Sequence, residues 1–332
     1  MHTVLLTGGL GYIGSHIAIE LLNSEYDYNV IIIDNLSNSS IDKLEIIKKY
    51  TSNYNSKYLH FFEMDLINYK DLDNLFHDYQ IDIVIHLAGL KSVGESVSNP
   101  LYYYHNNLLT TINLLNVMKK YDCKNIIFSS SATVYGSLKA PYKEDMEVGK
   151  ELTNPYGKTK YMQEEFLRDL YKSDNSWNII ILRYFNPISQ KNLELKEKPN
   201  GIPNNLFPYI VKVYNKELPL LQVYGNNYNT IDGTCIRDFI HVVDLAKGHL
   251  KACFYIINNN NFCIKTYNLG TGNGISVQQL INKFEEVNNT KINYKYVSKR
   301  EGDLDISYAD CSLAEKELMW ETEYDINNMV QL

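Results

Sequence analysis

Tyr156 and Lys160 are residues whose types and spacing suit acid–base chemistry. They stand four positions apart, and Tyr156 directly follows Asn154 and Pro155. Asn followed by Pro is typical of an N-cap and the first helical position, so the sequence predicts a helix that begins there. Residues four apart share one helix face, which brings the phenol beside the ammonium. A phenol, with a pKa of about 10, is a poor base at neutral pH, and a neighbouring positive charge favours phenolate. We therefore predict that Tyr156 removes a proton from a substrate hydroxyl, with Lys160 as its partner.

A second tyrosine–lysine pair shows that a four-residue spacing does not by itself identify a catalytic pair. Tyr135 and Lys139 are also four apart, but a glycine lies between them and a proline follows, so this pair is predicted to lie in a turn. Ser131 ends an apolar run that is typical of a strand, and it is predicted to hydrogen-bond the same substrate hydroxyl from the carboxyl edge of a sheet. The predicted catalytic residues are therefore Ser131, Tyr156 and Lys160.

A glycine-rich turn separates the first predicted strand from the first predicted helix. Thr3–Thr7 is followed by Gly8, Gly11 and Gly14. Glycines there permit a tight turn and let the backbone approach a pyrophosphate, which the following helix N-terminus binds. A second strand ends at Asp34, 20 residues after Gly14, where a carboxylate can accept hydrogen bonds from an adenosine ribose. No arginine follows Asp34 in the nearby turn, so the sequence favours NAD over NADP.

The elements that must position these residues alternate through the first half of the chain. Near-continuous apolar runs predict parallel strands buried on both faces, over Thr3–Thr7, Asn29–Asp34, Leu59–Met64, Ile81–Ala88, Asn125–Ser130 and Asn178–Tyr184. Amphipathic stretches lie between them, and Asn99 before Pro100 predicts a second capped helix. The predicted fold is α/β, with a Rossmann-type doubly wound parallel sheet over 1–186 as the NAD-binding domain. A smaller substrate-binding α/β region is predicted over 187–332, with some segments returning to the first domain.

Composition excludes several other classes of protein. The net charge of −7 argues against a nucleic-acid surface. The longest apolar runs are far shorter than the ~20 residues of a membrane helix. The five cysteines have no framework spacing, which is typical of reduced thiols in a cytoplasmic protein, and the eight histidines form no ligand-spaced cluster that would predict a metal site.

Together these residues resemble the UDP-glucose 4-epimerase family of the extended short-chain dehydrogenases/reductases. The resemblance runs from the first predicted strand to about residue 320. It is carried by the segments Thr7–His16, His86–Val97, Phe128–Gly136, Tyr156–Lys160, Leu182–Pro187, Gly201–Leu206, Asp232–Ala246 and Arg300–Asp303.

The resemblance implies two sets of binding residues. Tightly bound NAD would contact Gly8, Gly11, Tyr12, Ile13, Gly14, Asp34, Asn35, Asn38, Asp65, Leu66, Leu87, Ala88, Gly89, Lys91, Asn106, Ser129, Tyr156, Lys160 and Tyr184. A UDP-hexose would contact Lys91, Ser131, Tyr156, Phe185, Asn186, Asn205, Leu206, Gln222, Tyr224, Arg237, Arg300, Asp303 and Ser307. Arginine forks suit the oxygens of a diphosphate.

The resemblance also implies a reaction and an assembly. UDP-glucose and UDP-galactose would interconvert by reversible oxidation at C4 through a 4-keto sugar. Ser307 stands where the family carries either a bulky tyrosine or a small residue, so UDP-GlcNAc and UDP-GalNAc are predicted substrates as well. The helices that follow Asn99 and Asn154 would pair across a two-fold axis into a homodimer with a four-helix contact.

Other activities would share this fold and cofactor. A nucleotide-sugar 4,6-dehydratase needs carboxyl groups after the serine, where this chain has Ala132 and Thr133. A decarboxylase or another NAD-dependent nucleotide-sugar epimerase, such as one acting on uronic acids, would need no such change. A non-catalytic NAD-binding protein could dispense with the tyrosine–lysine pair, which is present here.

Overall fold

A computed structural model describes residues 1–52, 55–189, 195, 203–259, 261–300 and 302–332, so Gly201, Ile202 and Glu301 of the resembling segments lie outside the described residues. The first part of the chain contains β1 (His2–Thr7), α1 (Tyr12–Leu22), β2 (Tyr28–Asp34), α2 (Asp42–Lys49), β3 (Leu59–Glu63), α3 (Tyr69–Asp78), β4 (Ile83–His86), α4 (Val93–Ser98), α5 (Pro100–Lys120), β5 (Asn125–Ser131), α6 (Pro155–Ser173) and β6 (Asn178–Tyr184). It continues with β7 (Asn186–Ile188), α7 (Leu206–Tyr214), β8 (Leu221–Tyr224), β9 (Ile236–His241), α8 (Val242–Asn258), β10 (Ile264–Leu269), β11 (Gly274–Ser276), α9 (Val277–Val287), β12 (Tyr294–Val297), β13 (Ile306–Ser307), α10 (Ser312–Leu318) and α11 (Ile326–Val330).

Seven parallel strands of the described residues form the main sheet, in the order β10-β6-β5-β4-β1-β2-β3. Both faces are covered: Val4 and Leu6 of β1 pack with Ile17 of α1 on one face, and Leu5 packs with Leu72 of α3 on the other. This is why the strands read as continuous apolar runs. The strand order reverses between β1 and β4, the place where doubly wound sheets open a ligand crevice. The predicted fold class is confirmed.

The fourth strand is shorter than the prediction of Ile81–Ala88, since β4 spans Ile83–His86. Past His86 the bonding shifts to one residue of β1, because the Leu87 N–H donates to both the carbonyl oxygen and the hydroxyl of Thr7, over 3.3 and 3.2 Å, and the Ala88 N–H donates to the same hydroxyl over 3.2 Å. The chain is thereby drawn toward the turn that follows β1.

Among the residues described after β6, two smaller sheets are formed. One sheet contains β7, β9, β11 and β13, and the other pairs β8 with β12. Phe207, Ile210 and Phe284 lie in a separate apolar core beneath them. The strand β10 instead pairs with β6 at the edge of the main sheet, with Ile264 opposite Ile179. The domain boundary after residue 186 stays a prediction.

Two helices begin where Asn–Pro predicted them, but their caps differ. The Asn154 side chain accepts from the Gly157 N–H over 2.8 Å and caps α6. Asn99 occupies the predicted N-cap position of α5 before Pro100, but its side chain makes no cap hydrogen bond. The physical reason is its position directly after α4, where its backbone N–H donates to Glu95 and closes that helix over 2.8 Å. No helix among the described residues is both long and apolar enough to cross a membrane.

Candidate active site

The turn after β1 is a cradle of backbone atoms. Gly8 has a φ of +68°, and a Cβ there would lie 3.0 Å from the backbone of Ala88. A Cβ on Gly14 would lie 2.5 Å from the Gly8 carbonyl oxygen, so glycine lets α1 begin this close to the turn. Gly11 occupies the N-cap position, and Tyr12 begins α1. The positive end of α1 therefore faces the crevice, the arrangement that binds phosphate groups.

The Asp34 carboxylate ends β2 and supports this turn. It accepts from the Leu10 N–H over 3.0 Å, from the Leu36 N–H over 3.0 Å and from the Ser39 hydroxyl over 2.8 Å. A carboxylate offers about four acceptor positions, so these three donors leave capacity for a ribose hydroxyl. Asn38, in the same turn, is exposed.

A second polar group lies beside Asp34. The exposed Asn35 side chain donates to the Asp65 carboxylate over 3.0 Å, and Asp65 also accepts from the Ile67 N–H over 2.9 Å. Leu66, which follows Asp65, is buried, and its carbonyl oxygen accepts from the Asn113 side chain of α5 over 3.0 Å. Asp65 and Leu66 are therefore held at the same edge as Asp34.

The loop after β4 forms the opposite wall. Gly89 approaches α5 so closely that a Cβ would lie 3.2 Å from the Asn107 side-chain oxygen. Asn106 is half-buried on α5, while Lys91 is exposed. Thr7, which sequence reasoning missed, ties this loop to β1 through its hydroxyl; a lone polar residue ending an apolar strand is the signal that could have found it.

The start of α6 brings the predicted catalytic residues to the carboxyl end of β5. Lys160 is buried, and its Nζ donates to the Ser129 carbonyl oxygen over 2.6 Å. A side-chain hydrogen bond joins Ser131 to Tyr156. The Ser131 Oγ accepts from the backbone N–H and the hydroxyl of Thr133, over 3.2 and 3.0 Å, so its own proton can be donated to the phenol.

Burial dominates the electrostatics of these groups. It lowers the pKa of Lys160 from 10.5 to about 7, against the opposing charge of Glu164. Burial also raises the pKa of Tyr156 above 10.0, and the hydrogen bond from Ser131 acts to lower this pKa. Because the Lys160 ammonium donates to the Ser129 carbonyl, the idea that it favours the Tyr156 phenolate stays a prediction.

Tyr184 lies near Ser131, Tyr156 and Lys160, at the end of β6, the strand that pairs with β5. It is the register partner of Ser131, and a hydrogen bond from the Ser129 side chain reaches its phenol. Burial raises the pKa of Tyr184 far above its ordinary value. The phenol contacts His249 of α8, a residue that sequence reasoning missed because a histidine within a helix carries no distinguishing local pattern.

The second predicted set lies on the smaller sheets. Arg237 of β9 is the register partner of Ser307 of β13. One guanidinium nitrogen donates to the carbonyl oxygens of Ile236 and Leu304, over 2.8 Å each, and the other lies 3.4 Å from the Asp303 carboxylate. These contacts hold the guanidinium in one orientation beside Ser307.

Other members of this set flank Arg237. The Arg300 guanidinium lies over the Tyr224 ring, 3.9 Å from its centre, and the Tyr224 hydroxyl donates to Gln222 over 3.3 Å. Asn205 occupies the N-cap position of α7, which begins at Leu206.

Asn204 and Asn186 connect the predicted UDP-hexose residues to the NAD-binding edge of the main sheet. Asn204 donates to the Ser92 hydroxyl over 2.8 Å and accepts from Arg300 over 3.5 Å, which links the loop after β4 to the smaller region. The exposed Asn186 begins β7 directly after the buried Phe185, and β7 pairs with β9.

Within the described chain, no group of three or more His, Cys, Asp or Glu residues has the arrangement of a metal site.

Comparison with known proteins places this geometry in context. The family described as GDP-mannose 4,6 dehydratase matches residues 5–332. The UDP-glucose 4-epimerase of Bacillus subtilis is 48% identical over 328 residues, which cover 98% of this chain and 94% of the relative. A crystal structure of UDP-glucose 4-epimerase from Bifidobacterium longum in complex with NAD+ and UDP has a TM-score of 0.92 and 47% identity, and the match covers 99% of this chain and 96% of that one. The UDP-Glc/GlcNAc 4-epimerase of Campylobacter jejuni has a TM-score of 0.83 and 31% identity over 99% and 98% of the two chains.

Proposed function

The chain belongs to the UDP-glucose 4-epimerase family, and on that premise we propose that it interconverts UDP-glucose and UDP-galactose through reversible oxidation at C4. The observation that carries the proposal is the position of Ser131, Tyr156 and Lys160 at the carboxyl end of β5, on the same edge of the parallel sheet as the glycine turn after β1. A proton acceptor and a dinucleotide cradle in one crevice are what an oxidation of a sugar alcohol requires.

The residues of the cradle fit NAD. Gly8 and Gly14 leave no space for a Cβ, so the backbone itself lines the turn, and Asp34 keeps an acceptor position for a ribose hydroxyl. NAD would be held there and by the neighbouring Asp65, Leu66 and Asn106, together with the other residues named for it above. When bound, NAD supplies a hydride acceptor for C4 that later returns the hydride. Since the net redox change is zero, the protein gains by retaining the cofactor tightly.

Ser131, Tyr156 and Lys160 have different roles in the proton transfer. Tyr156 removes the proton from the C4 hydroxyl and gives it back after the sugar has turned. Ser131, whose proton is available, hydrogen-bonds the phenol and the same hydroxyl. Lys160 fixes α6 against β5 by donating to the Ser129 carbonyl and supplies positive charge when it is protonated. Removing such an acid–base residue typically costs about 10²–10⁴-fold in rate.

The arginines and their partners would anchor the uridine diphosphate while the sugar turns. Arg237, which contacts Asp303, and Arg300, which lies over Tyr224, would bind the phosphates. We propose that Phe185, Asn186, Asn205, Leu206 and Gln222 complete the contacts with the UDP-hexose. Ser307 is small and stands next to Arg237, so we propose that an N-acetylhexosamine also fits. The dehydratase alternative is disfavoured because Thr133, whose hydroxyl bonds Ser131, occupies the place where that reaction needs a carboxyl group.

The experiment is turnover without added cofactor. Purified protein is incubated with UDP-glucose alone, and the anomeric protons are followed by NMR. Appearance of UDP-galactose supports both the epimerase activity and the retained NAD. Tyr156→Phe should lower kcat by about 10²–10⁴-fold. Tyr171→Phe, on the same helix but remote from the edge, is the matched control. Absence of product with and without added NAD would refute the proposal.

We also propose a homodimer through α5 and α6. Both helices expose large apolar side chains: Leu101 is 81% exposed, Tyr102 54%, Ile112 41% and Met162 40%. Exposed large apolar side chains on two helices that pack against each other support the proposal of an interface there. Leu101→Glu should convert a dimer into a monomer in light scattering, and a monomeric wild type would contradict the proposal. The cytoplasmic location remains a prediction from composition.

A further inference from the structure

Tyr142 is a buried tyrosine whose hydroxyl group sets it apart from its neighbour Tyr135. Tyr142 is 1% exposed, and across the described parts of the chain its hydroxyl oxygen has no hydrogen-bond partner. Tyr135 is equally buried, but its hydroxyl donates to the Asn268 side chain over 2.7 Å and accepts from Arg183 over 3.0 Å. Buried polar atoms are almost always hydrogen-bonded, because a donor taken out of water without a partner costs free energy. The Tyr142 hydroxyl is therefore available to a ligand.

The backbone of Tyr142 is fixed beside the end of β13. Its N–H donates to the Tyr308 carbonyl oxygen over 2.9 Å, and its carbonyl oxygen accepts from the Asp310 N–H over 2.8 Å. Tyr142 thus forms an isolated parallel bridge with Ala309, two residues after Ser307. Alternate residues of an extended segment point to the same face, so Ser307 lies on the face where Ala309 packs with Tyr142.

The Tyr142 phenol also lies near two residues proposed to bind the UDP-hexose, Ser307 and Arg237. Burial raises the pKa of Tyr142, and the side chains of Ser307 and Arg237 are close enough to act to lower it. The Ser307 hydroxyl is not placed to form a hydrogen bond with the phenol, so the Tyr142 proton can be donated to a third group. Ser307 and Arg237 are both partly exposed, so a ligand that touches them comes within reach of the phenol.

The ring of Tyr142 is held in place by two other aromatic side chains. It stacks on Tyr135 with the ring centres 4.6 Å apart and the planes 16° from parallel. On the other side its centre lies 6.3 Å from that of Phe185, a further residue proposed to contact the hexose. A ring fixed in this way presents its hydroxyl in one direction, and a few fixed polar groups of this kind orient a ligand in its pocket.

We propose that Tyr142 is a further substrate-binding residue, whose hydroxyl donates a hydrogen bond to the substituent at C2 of the hexose. That substituent is the hydroxyl group of UDP-glucose or the acetamido carbonyl group of UDP-GlcNAc. The two sugars differ only at C2, and Ser307 is the residue proposed to make room for this difference, so its neighbour Tyr142 faces the same position. The inference rests on the proposed function, because it adds a contact to the same sugar pocket.

The test measures binding in the Tyr156→Phe background, so that no substrate is converted during a calorimetric titration. The ligands are UDP-glucose, UDP-2-deoxyglucose, which lacks the C2 hydroxyl, and UDP, which lacks the sugar. Adding Tyr142→Phe should weaken the binding of UDP-glucose about three- to tenfold, the loss of one neutral hydrogen bond. The affinities for UDP-2-deoxyglucose and UDP should stay unchanged, because a group that bonds a substrate hydroxyl gains nothing from an analogue without it.

Tyr135→Phe is the matched control, because it removes a phenol hydroxyl from the same aromatic cluster. That hydroxyl is bonded to Asn268 and Arg183, so Tyr135→Phe should lower the midpoint of urea unfolding and leave the ratio of the affinities for UDP-glucose and UDP-2-deoxyglucose unchanged. Tyr142→Phe removes no hydrogen bond within the described residues, so its urea midpoint without UDP-sugar should equal or exceed that of the background protein. A lowered midpoint together with an unchanged affinity ratio would assign Tyr142 a structural role and overturn the inference.

The three ligands separate the remaining outcomes. An unchanged affinity for UDP-glucose in Tyr142→Phe, or an equal loss for UDP-glucose and UDP-2-deoxyglucose, would overturn the inference. A loss for UDP itself would place the contact on the diphosphate and would overturn it as well. A wild-type protein that binds these nucleotides without epimerase turnover would refute the proposed function, whereas the titrations would still decide whether Tyr142 binds the C2 substituent.

Discussion

Glu164 forms a buried ion pair, and its replacement by glutamine tests how much that pair stabilises the fold. The carboxylate accepts from Arg183 Nε and Nη2 over 3.0 and 2.8 Å and from the Ser130 hydroxyl over 2.6 Å. The Arg183 and Glu164 side chains are 1% and 0% exposed. Glutamine keeps the shape but leaves the guanidinium uncompensated in the interior. Breaking one partner of such a pair costs about 3–5 kcal/mol, so the Glu164→Gln variant should lose that much free energy of unfolding.

Arg168 supplies the matched control. It reaches the same carboxylate over 2.9 Å, but its side chain is 28% exposed. Exposed pairs contribute about 0–1 kcal/mol, so Arg168→Met should lose less than about 1 kcal/mol. The two variants thus separate the buried arginine from the partly solvated one.

The assay is urea unfolding of the wild type and both variants, repeated across pH. Burial acts to raise the pKa of Glu164, but the hydrogen bonds and charge of Arg183 outweigh it, so the pKa lies below 4.5. A carboxyl group with a lowered pKa contributes stability that is present above 4.5 and is lost as the pH falls through its folded value. The gap between wild type and Glu164→Gln should therefore close in acid. A loss at pH 7 no larger than that of Arg168→Met would refute the reasoning.

Three further predictions address the cofactor turn, the buried lysine and the sugar pocket. Gly14→Ala places a Cβ 2.5 Å from the Gly8 carbonyl oxygen, so this variant should lose NAD during purification, as measured by nucleotide absorbance. Gly94→Ala is the control, because its Cβ meets nothing within 4 Å, and it should retain NAD. Equal retention of NAD in both variants would contradict the predicted role of the glycine turn. Because burial lowers the pKa of Lys160 from 10.5 to about 7, the unfolded chain binds more protons between those values. Stability should therefore rise with pH there by roughly 1.4 kcal/mol per unit, and Lys160→Met should lose that rise in urea titrations; parallel curves would count against the shifted pKa. Ser307→Tyr should abolish UDP-GlcNAc turnover while UDP-glucose is still converted, measured by NMR, and loss or survival of both would show that Ser307 does not select the sugar.

Local sequence was sufficient for the elements that carry the site. Near-continuous apolar runs identified the first six strands of the main sheet to within two residues at each end, because strands that are covered on both faces are built mostly from apolar residues. The glycine turn and the Asn154–Pro155 helix start were also readable, since backbone freedom and capping are properties of a few neighbouring residues. The spacing of Tyr156 and Lys160 followed from the helix period.

Other features depend on residues far apart in the chain, and no local pattern predicts them. Asn99 and Asn154 precede proline alike, yet only Asn154 caps its helix with its side chain, because α4 ends directly before Asn99. The strand β10 joins the edge of the main sheet through a pairing with β6 whose energy arises only when both strands are packed.

The protonation properties of the site belong to the tertiary structure as well. The pKa of Lys160 is low because packing removes its ammonium from water, and the Tyr184–His249 bond exists because β6 and α8 are brought together across 65 positions. Residue types and spacing determined which groups could do chemistry in this chain. Only the packed interior decided which of them carry a proton, because desolvation and hydrogen-bond direction arise from all the atoms that surround a group.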